Sequence, residues 1–167
     1  ASNTQVVVNN SDTIIKDLYG GNNNGGKTIN ANLLVNNGKI NNIYGGGNKA
    51  STNKTNTKIV KGNINTVYGG GNAASVEADT KLVIGAALIS SNVYGGGNEG
   101  EVRGSTDVYL TDTKVLNSAY GGGNGSTAIV TGNTNITVDG DTIIGREGIN
   151  KPDGSLFGSG NAASTGV

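Results

Sequence analysis

A short phrase, an apolar residue followed by Tyr-Gly-Gly-Gly-Asn, is written four times in this chain. It reads NIYGGGN at 42–48, TVYGGGN at 66–72, NVYGGGN at 92–98 and SAYGGGN at 118–124. Degenerate copies, LYGGNNN at 18–24 and LFGSGN at 156–161, stand at either end of the series. The aromatic of the phrase falls at Tyr19, Tyr44, Tyr68, Tyr94, Tyr120 and Phe157, at intervals of 25, 24, 26, 26 and 37 residues. Self-similarity at a fixed period of 20–50 residues is the mark of a repeat architecture, in which each repeat buries its apolar face only against its neighbours. The long last interval holds an insertion around REGINKPDG, at about 145–155, whose composition is that of a surface loop.

The stretch ahead of each phrase repeats as well. Thr4-Val6-Val8 recurs as Ala31-Leu33-Val35, Thr55-Thr57-Ile59, Thr80-Leu82-Ile84, Thr106-Val108-Leu110 and Thr134-Ile136-Val138. Alternation with a period of two, rich in β-branched residues, predicts a strand with one buried face. A turn follows each triplet, then a shorter apolar element at Ile15, Ile40, Ile64, Leu88 or Ile89, Leu116 and Ile144. The apolar residue just before the aromatic (Leu18, Ile43, Val67, Val93, Ala119, Leu156) closes the unit. No window of helical length is free of glycine or turn residues, so a helix has nowhere to form. The expected architecture is all-β: a parallel β-helix, or β-solenoid, of about six coils of roughly 25 residues. It makes one repeat domain over 1–167, with an atypical first coil at 1–26. The chain opens partway through a repeat, which reads as a segment of something larger.

Coils stacked at the ordinary strand spacing of ~4.8 Å bring equivalent residues directly over one another. Tyr19, Tyr44, Tyr68, Tyr94, Tyr120 and Phe157 then form one column. Asn23, Asn48, Asn72, Asn98, Asn124 and Asn161 form a second, in which side-chain amides can hydrogen-bond along the stack. The Thr heads of the triplets form a third. The glycines between aromatic and amide read as a corner, where positive φ or close backbone approach excludes a Cβ. Two ligand-binding readings of the phrase fit less well. A phosphate loop needs a following helix with Lys and Ser/Thr in register. A calcium-binding glycine repeat needs Asp at fixed offsets, and YGGGN has none.

Composition narrows the chemistry further. The chain has no Cys, His, Met or Trp, which removes disulfides, thiol nucleophiles, histidine bases and the usual zinc, copper and haem ligands. The 12 basic and 12 acidic residues balance, and no basic patch with aromatic platforms suggests nucleic acid. No apolar run approaches the ~18 residues of a membrane-spanning helix. Although 30 residues are glycine, 38 are Val, Ile, Leu or Phe, which together with the periodicity argues for a folded core rather than a linker.

The YGGGN repeats resemble those of long adhesin-like surface proteins of Gram-positive gut bacteria. Four full phrases and two partial ones carry the resemblance, which covers nearly the whole chain. It implies a right-handed parallel β-helix, extracellular display, and no catalytic residue to carry over.

Parallel β-helices also serve as scaffolds for polysaccharide-cleaving enzymes, whose chemistry needs clustered carboxylates. Asp79 aligns with Ser105 and Asp107 with Lys81 in neighbouring coils, so neither stacks on another acid. Asp139 and Asp141 flank Gly140 as turn formers, and Glu99 and Glu101 are expected to face solvent near Arg103. An outward stripe of Val7, Leu34, Val83 and Tyr109, interrupted by Lys58 and ended by Thr137, is a candidate partner surface. The expected function is a structural repeat module of an extracellular stalk, fibre or adhesin, with end-to-end self-assembly into a filament as a variant, not an enzyme, without metal or cofactor. Its partners would be neighbouring repeats or further copies of itself. The alternative is an adhesion module that binds glycan or a host surface protein. An enzyme on polysaccharide and an ice-binding protein are weaker readings; the row beside the Thr heads, which contains Lys81 and Asp107, is too irregular for ice.

Overall fold

A computed structural model of the chain describes residues 2–146 and 153–166. Every strand pairing in it is parallel, and no helix occurs among the described residues. The first coil carries β1 (Ser2–Val8) and β2 (Ile14–Tyr19), and the second β3 (Thr28–Val35) and β4 (Lys39–Tyr44). In the third, β5 (Thr52–Tyr68) runs round the coil without a break. The fourth has β6 (Thr80–Ile89) and β7 (Val93–Tyr94), and the fifth β8 (Thr106–Thr111), β9 (Lys114–Val115) and β10 (Ala119–Tyr120). The sixth has β11 (Thr134–Asp139), β12 (Ile143–Ile144) and β13 (Leu156–Phe157). The chain is therefore a β-solenoid of about six coils.

Three ladders run the length of the stack. One joins β1, β3, β5, β6, β8 and β11, and superposes the triplets residue on residue, from Val8 through Val35, Ile59, Ile84 and Leu110 to Val138. A second joins β2, β4, β5, β6, β9 and β12. The third carries the aromatic of each phrase through β2, β4, β5, β7, β10 and β13. The inward residues of all three meet in one continuous apolar core, with Leu33, Ile59, Ile64, Leu82, Ile84, Ile89, Leu110 and Val115 almost wholly buried. Period-two patterning produces this directly: alternate side chains of each ladder face the lumen, and every lumen residue packs on its equivalents above and below.

The second ladder settles one choice and corrects one expectation. Of Leu88 and Ile89, Ile89 is the buried residue of the fourth coil, and it pairs with Val115, not with the expected Leu116. The cause lies in the turn ahead of β9. Asp112 adopts a left-handed φ of 55°, which turns Thr113 into the core. There the Thr113 hydroxyl donates to the Gly85 carbonyl oxygen at 2.7 Å, with the Ile84 carbonyl oxygen also within reach at 2.9 Å. With residue 113 inward, period two places Val115 inward and Leu116 outward.

A fourth column lies outside the reach of the sequence pattern. Single parallel bridges join Thr52, Val76, Val102, Val130 and Thr165. The three valines form a small separate core. A faint signal exists: Thr52, Val76, Val102 and Thr165 each stand eight residues past the aromatic of their coil. One apolar residue among glycines and polar residues has no periodicity to betray it.

Candidate functional site

The YGGGN corner is the most heavily repeated feature of the molecule. Adjacent rings of the aromatic column lie 4.8–5.0 Å apart, centroid to centroid, and 3–10° from parallel, from Tyr19 through to Phe157. Burial among their neighbours pushes the Tyr44, Tyr68 and Tyr94 phenols up to about 12, with the adjacent rings of the column adding to the shift. The Tyr19 phenol is raised by burial and by the Asp17 carboxylate. Four residues beyond each aromatic, the asparagines form an unbroken chain of amide hydrogen bonds. Asn48 Nδ2 donates to Asn23 Oδ1 at 2.8 Å, and Asn72, Asn98, Asn124 and Asn161 each donate to the preceding asparagine at 2.9–3.0 Å.

Between these columns the backbone hydrogen-bonds to both neighbouring coils. The N–H of the first glycine (Gly20, Gly45, Gly69, Gly95, Gly121) donates to the aromatic residue's carbonyl in the next coil. The N–H of the asparagine in each later coil donates instead to the coil before, as from Asn72 to Gly47 at 3.0 Å. The corner is thus bonded to the coils on both sides. Its glycines do not take positive φ, contrary to one part of the expectation; the positive-φ glycines among the described residues lie elsewhere, Gly38, Gly62 and Gly140 among them. The need is close approach. A Cβ on Gly45, Gly69 or Gly95 would overlap the carbonyl oxygen of the equivalent glycine one coil on. Only glycine allows the backbones to stack at strand spacing here.

The Thr heads serve the same corner from across the lumen. Thr4, Thr55, Thr80, Thr106 and Thr134 each donate through Oγ1 to the carbonyl oxygen of the first phrase glycine (Gly20, Gly69, Gly95, Gly121 and Gly158), at 2.5–2.7 Å. The second coil has Ala31 in this position. Each hydroxyl is thus a staple within its own coil rather than a rung between coils.

The outward stripe is assembled as a column by the first ladder: Val7, Leu34, Lys58, Val83, Tyr109 and Thr137 lie in register. Val7 is exposed, and Leu34, Val83 and Tyr109 are half-buried. Tyr109 is not free: its hydroxyl donates to Asp139 Oδ2 at 2.8 Å. That bond raises the Tyr109 pKa and lowers that of Asp139. Asp139 also accepts from the Gly140 N–H at 2.8 Å, and Asp112 Oδ1 accepts from the Asp141 N–H at 3.0 Å. With Gly140 at φ 58°, these acids form turns.

Arg103 clamps two coils, donating to Glu77 Oε2 at 2.5 Å and to Glu101 Oε1 at 2.6 Å. Glu77 is held below the usual carboxylate range first by the Ser75 hydroxyl and then by Arg103, against the opposing effect of partial burial. The insertion near Pro152 lies mostly outside the described residues; at its base the Arg146 N–H donates to Asp153 Oδ1 at 2.6 Å.

One further surface does not stand out in the sequence. An open groove of about 380 Å³ runs over the outer face of β1, β3, β5 and β6, lined by Asn3, Asn30, Asn32, Lys54, Asn56 and Lys81. A smaller hollow beside it shares Asn32 and Asn56 and adds Gln5, Leu34 and Lys58. Amide groups with ammonium groups at the margin suit a hydroxylated, anionic ligand. The signal is present as Asn and Lys at alternate positions of NANL and NKTNTK, but only stacking brings the rows together. Comparison of the chain with family models, with curated proteins and with solved structures finds no match.

Proposed function

We propose that this chain is a structural repeat module of an extracellular stalk, fibre or adhesin. The observation that carries the reading is the continuity of the corner: aromatic stacks and amide bonds pass through all the coils without interruption. In such a stack each coil is stabilised chiefly by its two neighbours, so length can grow by adding coils while the cross-section stays constant. A rod of this kind is suited to spacing and bearing load. The resemblance of the YGGGN phrases to adhesin-like repeats supports display outside the cell. The test is to label intact source cells with an antibody raised against the chain, with and without protease shaving. Labelling that is lost on shaving is the expected outcome; a chain reached only after lysis would refute the extracellular role.

The Asn/Lys groove favours a second reading, an adhesion module for acidic glycan. Binding to a carboxylated or sulfated glycan array, lost in Lys54→Glu with Lys81→Glu, would support it. Binding unaffected by that pair would remove the groove, and binding unaffected by Tyr109→Ala would remove the outward stripe.

A further inference from the structure

Two columns of outward side chains wall the Asn/Lys groove. They lie two residues apart along each strand, and so ~7 Å from one another. One wall runs through Asn3, Asn30 and Lys54, the other through Asn32, Asn56 and Lys81. The second coil therefore offers amides on both walls, the third Lys54 facing Asn56, and the fourth Lys81 on the opposite wall from Lys54.

The amides of the second coil are already turned. Asn30 Nδ2 donates to Asn3 Oδ1 at 2.9 Å, and Asn32 Nδ2 to the Thr4 carbonyl at 3.2 Å, both towards the coil before. Their Oδ1 atoms take no donor among the described residues, so they remain as acceptors for hydroxyl groups. The charge points the same way. Between Asp17 and Glu77 the chain holds six lysines and no acidic residue, which makes the second and third coils a basic band. Lys54 and Lys81 are exposed, and neither joins an ion pair among the described residues. Acids mark the far side of the groove. Asp79 turns away to accept from the Ser105 N–H at 2.9 Å, and Asp107 lies in register with Lys81.

From this geometry we infer that a ribbon-like chain of uronic acids binds along the rod axis, one sugar ring to each coil. The coil spacing of ~4.8 Å is close to the advance of one ring in such a chain. Successive carboxylates of a ribbon-like uronate point to opposite edges, as Lys54 and Lys81 stand on opposite walls in successive coils. The ring over the second coil donates hydroxyls to Asn30 and Asn32 Oδ1. No aromatic side chain lines the groove, so binding is carried by hydrogen bonds and by the field of the lysines. This binding mode rests on the reading of the chain as an adhesion module for acidic glycan.

The test is calorimetric titration of the full 167-residue chain with oligomannuronates, from dimer to hexamer, at low and moderate salt. Affinity is expected to rise with each ring up to the tetramer and then level off, because the groove crosses four coils. It should weaken as salt screens the ammonium groups. Lys54→Gln and Lys81→Gln are each expected to weaken binding by up to roughly fivefold. Lys58→Gln separates the two possible directions. Lys58 lies farther along the same strand as Lys54 and outside this groove. A glycan lying along the strands needs Lys58, whereas one lying along the axis needs Lys81, and only the second is expected. Asp107→Asn removes the acid beside Lys81 and is expected to tighten binding, a gain that a merely structural role would not give. All four side chains are exposed, so the variants suit the fold, which circular dichroism checks. Affinity that depends on Lys58 and not on Lys81, or that stops rising at the dimer, would overturn the axial site and leave the adhesion reading in place. Equal binding of a neutral oligomannoside would overturn the part given to the lysines. A folded chain that binds no oligomannuronate would overturn the inference, and one that binds no acidic glycan of any kind would remove the adhesion reading with it.

Discussion

Thr28, Thr52 and Thr57 bury hydroxyls without a hydrogen-bond partner among the described residues. A buried, unsatisfied hydroxyl costs about 1–3 kcal/mol. Thr52 heads a column that continues with Val76, Val102 and Val130, so a valine of the same shape already fits that environment. Thr52→Val is expected to stabilise the chain by about 1 kcal/mol in denaturant unfolding, with unchanged cooperativity. The glycine corner behaves in the opposite way. The methyl of Gly69→Ala would meet the Gly95 carbonyl, which cannot rotate away as a side-chain tip would. A loss of about 2–3 kcal/mol is expected from the forced separation of coils. Gly25→Ala, where an added Cβ meets nothing, is the control and should be close to neutral.

The aromatic ladder makes a prediction of its own in alkali. Tyr44, Tyr68 and Tyr94 have pKa values of about 12 in the fold against 10.0 for the unhindered phenol. A raised pKa means that the fold favours the neutral ring. Its contribution is complete below pH 10, declines as the pH rises, and is lost above about 12. Stability measured by urea unfolding should therefore fall steeply between those limits. The triple variant Tyr44→Phe, Tyr68→Phe, Tyr94→Phe should flatten that fall, since the column already accepts Phe157 without a phenol. Removing one ring is more severe: Tyr68→Ala breaks two stacks and leaves a void between Tyr44 and Tyr94, at a cost of about 3–5 kcal/mol.

For the rod as a whole, contacts between neighbouring coils predominate, and this predicts modular behaviour. Deleting 69–94 removes one full period and joins Tyr68 to Gly95, so every column closes up in register. The shortened chain is expected to fold, to give the same β-sheet circular dichroism per residue, and to lose about a sixth of its denaturant m-value, because m follows the surface exposed. Deleting half a period instead would set Tyr over lumen positions and should abolish folding.

The features legible in the sequence are those that repeat. Six aromatics near a 25-residue spacing, and triplets alternating with period two, are enough to imply stacked parallel coils, and stacking implies columns. The Tyr and Asn columns follow because identical residues at identical positions must superpose once the coils do. What the sequence conceals depends on contacts made across the coil or between rows. The inward turn of Thr113, which selects Val115 over Leu116, results from one left-handed backbone angle at Asp112 that no pattern announces. Whether the phrase glycines serve positive φ or close approach is decided by the carbonyl of the next coil, in place above them. The Asn/Lys groove joins residues more than twenty positions apart, and the acid-free run of lysines between Asp17 and Glu77 becomes a basic band only when residue number turns into height along a rod. Period sets which residues share a column, because strand spacing and side-chain alternation are local. Which columns touch, and what lies exposed between them, depends on how the chain closes round its core.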